Sequence, residues 1–113
     1  GPLYEDAAAA VRAAHPTAIV FVSPGYLTSA GVATRLERPT FDNFAYAPHY
    51  YDPALVLFHG WQGSDESAPF ADMSGTAQAW GVPLFLGEWG APPSTDHPCS
   101  ALRSGVPRLA GSV

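Results

Sequence analysis

The chain contains the apolar run Pro83-Leu84-Phe85-Leu86-Gly87-Glu88-Trp89-Gly90, in which a carboxylate ends a stretch that carries no charge. A buried parallel strand is typically a near-continuous apolar run. Active sites in parallel α/β sheets and barrels lie at the carboxyl ends of such strands. The position of Glu88 therefore predicts a catalytic residue. The alternative is a structural carboxylate that pairs with an arginine or caps the next element.

A second short apolar strand ends in polar side chains within Phe44-Ala45-Tyr46-Ala47-Pro48-His49-Tyr50-Tyr51-Asp52-Pro53. Side chains two residues apart on a strand point to the same side. We therefore predict that His49 and Tyr51 face the same end of the sheet, while Tyr50 points away. Taken without Glu88, the His49-x-Tyr51 spacing is explained more simply by a hydrogen-bonded polar pair at a strand end.

The remaining pattern alternates between helices and strands. We predict helices from Leu3 to about Ala14 and from about Ser67 to Trp80, with Gly81 ending the second. Strands are predicted at 18–22, 45–48 and 82–87, and loops at 26–42 and 52–66. Strand, helix, strand in this order implies an α/β fold with a parallel sheet and right-handed crossovers.

Composition excludes some classes of function. The formal charge is −5 and there is no lysine, which argues against a nucleic-acid partner because phosphate binding needs clustered basic residues. The sequence contains no stretch of eighteen apolar residues, so no transmembrane segment is predicted. No signal peptide is visible. Cys99 has no second cysteine to pair with. A metal is not expected, because the spacing of the candidate ligands follows no known pattern: His49, Asp52, His59 and Glu88.

Together the two strand segments resemble glycoside hydrolase family 5 over roughly residues 3–93. In that family a His-x-Tyr triplet ends the sixth barrel strand and the nucleophilic Glu ends the seventh. The resemblance implies that Glu88 is the nucleophile, that Tyr51 positions it, and that His49 lines a sugar subsite. It also implies that no cofactor and no catalytic metal are needed. The sequence around these residues most resembles the endoglycoceramidase-like branch, which cleaves the bond between a glycan and ceramide.

The length of 113 residues is short for a complete (β/α)8 barrel, which takes about 250 residues. We therefore expect a partial (β/α)8 (TIM) barrel, a C-terminal half-barrel fragment that corresponds to about strands 5–7. It would occupy residues 1–93, and an irregular tail rich in Pro, Gly and Ser would occupy 94–113. The family's acid/base Glu follows an Asn, but the only Asn, Asn43, precedes Phe44.

Three other side chains are candidates for substrate binding, each with a structural alternative. Trp89 either stacks on a sugar or packs under a loop. Trp61 either forms a platform for a sugar or lipid or, more simply, anchors its own loop. Asp52 either contacts substrate or caps the loop after the strand.

We expect the chain to be a fragment of a retaining, endo-acting β-glycosidase for a glycolipid glycan or a β-glucan. Without the acid/base residue it would be inactive or very weak alone. One alternative is a non-catalytic folded fragment that at most binds carbohydrate. Another is a homo-oligomer, formed through exposed sheet edges, that rebuilds a site with Glu37 or Glu66 as the acid. The resemblance implies a secreted full-length parent; the location of this chain itself is not predicted.

Overall fold

The computed structural model describes residues 2–58 and 62–90. Within these residues, parallel strands alternate with helices. The helices are α1 (Pro2–Ala14), α2 (Pro53–Phe58) and α3 (Ser67–Trp80), and a 3₁₀ helix spans Tyr26–Ala30. The strands are β1 (Val20–Val22), β2 (Phe44–Tyr46), β3 (His49–Tyr50) and β4 (Glu88–Trp89).

Two parallel strand pairs build the sheet. Strand β1 pairs with β2, and Val22 lies opposite Tyr46. Strand β3 pairs with β4, and His49 lies opposite Glu88. A parallel bridge between Tyr46 and Leu84 joins the two pairs. The segment 44–50 is thus the central line of the sheet, and both of its neighbours run parallel to it.

The third predicted strand is displaced along the chain. It was predicted to cover 82–87 and to end before the carboxylate. The structure instead has a single bridge at Leu84 and a strand that includes Glu88 and Trp89. The amide of Gly87 donates to the Pro48 carbonyl at 2.9 Å, which carries the pairing forward to Glu88. The first predicted strand is shorter than expected, because pairing begins at Val20.

Two segments that were predicted as loops contain helical turns. Tyr26–Ala30 forms the 3₁₀ helix, which ends at Gly31 with φ of 86°. Helix α2 lies inside the predicted loop at 52–66. The Asp52 carboxylate accepts a hydrogen bond from the Ala54 amide at 2.9 Å, and Pro53 occupies the first helical position. An N-cap aspartate followed by proline favours helix initiation, but the run that follows is too short to show a helical period.

Helix α3 covers the outer face of the sheet, as its spacing predicted. Its Met73 and Ala77 are buried against Tyr46 and Tyr50 of the sheet, and four partly buried side chains pack around this cluster: Phe70, Trp80, Val82 and Leu86. Full burial of such apolar side chains contributes about 1.5–3 kcal/mol each. Gly81 ends the helix with φ of 68°, a left-handed conformation that glycine adopts without a steric penalty.

The opposite face of the sheet is open in the part of the chain that the structure describes. Phe21 is 54 % exposed and Phe85 is 52 % exposed. Their rings touch edge to face, with centroids 5.1 Å apart, and Ile19 beside them is also exposed. In a closed barrel this inner face would be covered by the remaining strands.

Candidate active site

Glu88 lies at the edge of the sheet, and two polar side chains contact one of its carboxylate oxygens. The Tyr51 hydroxyl donates a hydrogen bond to Glu88 Oε2 at 3.2 Å. His49 Nδ1 lies 3.4 Å from the same oxygen. The parallel register explains this arrangement, because His49 is directly opposite Glu88 on the neighbouring strand. More than half of the Glu88 side chain remains accessible, so a ligand can reach the carboxylate.

The strand alternation within His49-Tyr50-Tyr51 is as predicted. His49 and Tyr51 reach Glu88, while Tyr50 is buried on the other side, where its hydroxyl donates to Glu66. The backbone amide of Tyr51 donates to the Ser29 carbonyl at 2.8 Å. This hydrogen bond connects the 3₁₀ helix to the end of strand β3.

The Tyr51 hydroxyl is suited to donate to a carboxylate. Desolvation raises the pKa of Tyr51 above its ordinary value, and the hydrogen bond to Glu88 and the charge of Glu88 raise it further. The phenol consequently keeps its proton throughout the neutral range. A neutral donor beside an ionised carboxylate orients the carboxylate without titrating against it.

Gly87 allows the close approach of His49 to the strand that carries Glu88. A Cβ atom at Gly87 would lie 3.0 Å from both Cδ2 and Nε2 of His49. Such contacts are tighter than nine in ten real Cβ contacts, so the imidazole would have to move by a few tenths of an ångström. Any larger residue at this position would therefore push the imidazole away from its place beside Glu88.

We expect Gly87→Ala to lower the free energy of unfolding by about 1 kcal/mol or more, because overpacking forces a side chain from its position. Urea unfolding followed by tryptophan fluorescence measures the change. Gly75→Ala is the matched control: Gly75 lies on the exposed side of α3 with nothing within 4 Å of a Cβ. It should raise stability by about 0.5–1 kcal/mol. Equal stability of Gly87→Ala and the wild type would contradict the close-packing argument.

The other sequence candidates differ in their surroundings. Both Asp52 oxygens accept internal hydrogen bonds, from the Ala54 amide and the Ser64 hydroxyl, at 2.9 Å each. Asp52 therefore caps helix α2, where the sequence prediction has a loop. Trp89 is 56 % exposed. Trp61, His59 and Cys99 lie outside the described residues, as does the predicted tail at 94–113.

An open groove of about 740 Å³ runs beside Tyr51 and Trp89. Its walls come from the 3₁₀ helix and from α2, both of which the sequence prediction had assigned to loops. The side chains that line it are largely apolar, among them Tyr26, Ala30, Val56 and Leu57. The groove was missed because its walls depend on how two short helices pack, and no local pattern in the sequence indicates that packing.

Glu66 was also misjudged from the sequence. It was considered as a substitute acid in an assembly, but its side chain is buried and bonded to Tyr50. An acid that protonates a leaving group must reach the substrate, and Glu66 does not reach solvent. Glu37 is exposed. In residues 2–58 and 62–90 no three His, Cys, Asp or Glu side chains are grouped to hold a metal ion, and no helix is long and apolar enough to cross a membrane.

Parallel strands that alternate with helices and bring a carboxylate, a histidine and a tyrosine to one sheet edge are consistent with part of a (β/α)8 barrel. The model of the cellulase family, glycosyl hydrolase family 5, matches residues 2–108. The chain therefore belongs to glycosyl hydrolase family 5. No curated protein and no solved structure matches it. The endoglycoceramidase-like branch stays a prediction.

Proposed function

We propose that the chain carries the nucleophile side of a retaining β-glycosidase site. Retaining glycosidases use two carboxyl groups about 5–5.5 Å apart, one of which attacks the anomeric carbon while the other protonates the leaving oxygen. Glu88 is the attacking group in this proposal. The supporting observation is the accessible Glu88 carboxylate, whose Oε2 is held by Tyr51 at 3.2 Å.

The neighbouring residues have separate roles in this mechanism. Tyr51 donates to Glu88 Oε2 and leaves Oε1 to attack the sugar. His49, 3.4 Å from the same Oε2, lines the subsite for the sugar ring. The exposed indole of Trp89 stacks on a sugar face at the mouth of the groove. Asp52 contributes by capping α2, which forms one wall of that groove, and Trp61 keeps its proposed role in substrate binding.

The leaving-group side of the reaction is the part that this chain does not supply. No Asn-Glu pair occurs among its 113 residues, so no residue matches the family's acid. Hydrolysis by the chain alone should therefore depend on leaving groups that need no proton. The test is fluorophore release from aryl β-glucoside, cellobioside and lactoside by the wild type and Glu88→Gln.

A second candidate function is carbohydrate binding without turnover. The groove of about 740 Å³ with two tyrosines and a tryptophan favours it, since aromatic faces are suitable platforms for sugar rings. The ligand proposed for this function is a β-glucan or a glycolipid glycan, in line with the resemblance to the endoglycoceramidase-like branch. Calorimetric titration with cello-oligosaccharides and with a glycolipid glycan distinguishes binding from no interaction. Heat of binding without any fluorophore release would favour this candidate.

We also propose that the chain associates with itself through the open face of the sheet. Exposed phenyl rings at Phe21 and Phe85 favour burial against a partner. Light scattering should show a dimer or larger species at high concentration, and Phe21→Ser with Phe85→Ser should shift it towards the monomer. Gly75→Ala serves as a control on the opposite face. A monomer at every concentration of the wild type would contradict the proposal.

A further inference from the structure

Glu66 is a buried carboxyl group that the proposed reaction does not use. It lies behind strand β3, on the side away from Glu88, and is only 3 % exposed. Its Oε2 accepts a hydrogen bond from the Tyr50 hydroxyl. Its Oε1 is buried and has no hydrogen-bond partner within residues 2–58 and 62–90. A buried charged oxygen without a donor is costly, so the ionised form does not suit this place.

The groups that face Glu66 are all acidic or neutral. The Asp52 carboxyl interacts with it directly, Asp65 precedes it in the chain, and Tyr50 donates to it from the sheet. In the part of the chain that the structure describes, no cation acts on Glu66. Asp52 itself holds the Ala54 amide and the Ser64 hydroxyl, donors that suit its ionised form.

We propose that Glu66 is the protonated member of a carboxylic acid–carboxylate pair with Asp52, and that this pair positions the strand end that carries His49 and Tyr51. The proton on Glu66 Oε1 is donated to the Asp52 carboxylate, while Oε2 accepts from Tyr50. Every polar atom of the cluster then has a partner. Asp52 caps α2, and Glu66 immediately precedes α3. The shared proton therefore connects the starts of the two helices behind β3.

The direction of the titration supports this geometry. Burial raises the pKa of Glu66, and the charge of Asp52 raises it further, outweighing the Tyr50 hydrogen bond, which lowers it. A carboxyl whose pKa is higher in the folded than in the unfolded state stabilises the fold at low pH. That contribution is lost as the pH rises through the pKa of Glu66 in the folded protein, when a second negative charge forms beside Asp52.

The test compares melting temperatures between about pH 5 and pH 8 for the wild type, Glu66→Gln and Glu66→Ala. Gln keeps one acceptor for Tyr50 and supplies an amide donor to Asp52, without a proton to lose. As the pH rises, we expect the melting temperature of the wild type to fall by about 4 °C or more relative to that of Glu66→Gln. Glu66→Ala should melt lower than Glu66→Gln at every pH, because Tyr50 and Asp52 lose their partner.

Glu37→Gln is the matched control, because it removes a carboxylate from an exposed position and should follow the wild-type pH profile. The histidines are common to all variants, so their contribution cancels in the difference. Infrared spectroscopy of the wild type near pH 6 gives an independent readout that needs no variant. A protonated-carboxyl band that disappears in Glu66→Gln is expected.

Two results would overturn the proposal. One is an identical pH profile for the wild type and Glu66→Gln together with no protonated-carboxyl band. The other is stabilisation of the wild type by added Ca²⁺ that Glu66→Gln lacks, because a cation rather than a proton would then hold the pair. Neither depends on glycosidase activity, so the inference can fail or succeed separately from the proposed function.

Discussion

Fluorophore release from aryl β-glycosides should be slow for the wild type and fall to the level of buffer alone for Glu88→Gln. The amide is nearly the same size as the carboxylate and still contacts Tyr51, but it cannot form the glycosyl ester through which retention proceeds. The loss should therefore appear in turnover with little change in folding. Circular dichroism of both proteins checks the fold, and Gly75→Ala on the exposed side of α3 should keep wild-type turnover.

Turnover in the same assay should depend on the leaving group of the substrate. General acid catalysis contributes about 10²–10⁴-fold, and an activated phenol leaves without it, whereas a sugar or lipid alcohol does not. We expect no measurable release from natural glycosides, as followed by liberated glycan. Hydrolysis of a natural substrate that Glu88→Gln abolishes would contradict this expectation and would show that another carboxyl replaces the acid. Equal aryl release by wild type and Glu88→Gln would contradict the role of Glu88.

Tyr46→Ala is expected to leave the chain largely unfolded. Tyr46 is almost completely buried between the sheet and α3, and its ring meets Trp80 edge to face at 5.1 Å. Removing a large aromatic side chain from a core costs about 3–5 kcal/mol. The free energy of unfolding of a domain is about 5–15 kcal/mol, and small domains lie near the lower limit. Urea unfolding followed by tryptophan fluorescence should show no folded baseline.

Tyr46→Phe separates the ring from its hydroxyl. Thr34 interacts with the hydroxyl and partly offsets the rise in the pKa of Tyr46 that burial causes, and a single polar contact of this kind contributes about 1 kcal/mol. Tyr46→Phe should therefore remain folded with a modestly lower urea midpoint. A cooperative transition of Tyr46→Ala at the wild-type midpoint would mean that the cluster around α3 is not the core of this protein.

The elements with long or strongly apolar patterns were predictable. Helix α3 was expected from Ser67 to Trp80 and has those bounds, because four turns of regular spacing leave little ambiguity. Helix α1 likewise ends at Ala14, ahead of His15-Pro16. The two short helices were not predictable, since five or six residues are too few for a period to emerge. Helix α2 depends on the Asp52 cap, and the 3₁₀ helix is held by its hydrogen bond to the amide of Tyr51.

The candidate site divides in the same way. Alternation along a strand was enough to predict that His49 and Tyr51 share a side and that Tyr50 does not. Local sequence also placed the carboxylate of Glu88 at the carboxyl end of an apolar run. Whether these side chains meet depends on register, and register is a property of two strands that are almost forty residues apart in the chain. The distances of 3.2 and 3.4 Å to Glu88 Oε2 follow from that pairing.

Residue type and spacing therefore established the parallel α/β class, the long helices and the residues that point towards the sheet edge. Those features depend on interactions within a few residues, and the sequence displays them directly. The groove beside Trp89, the burial of Glu66 and its contact with Asp52 arose only when separate segments packed together. Burial and charge proximity between distant residues are set by tertiary packing, because no single segment contains both members of such a contact.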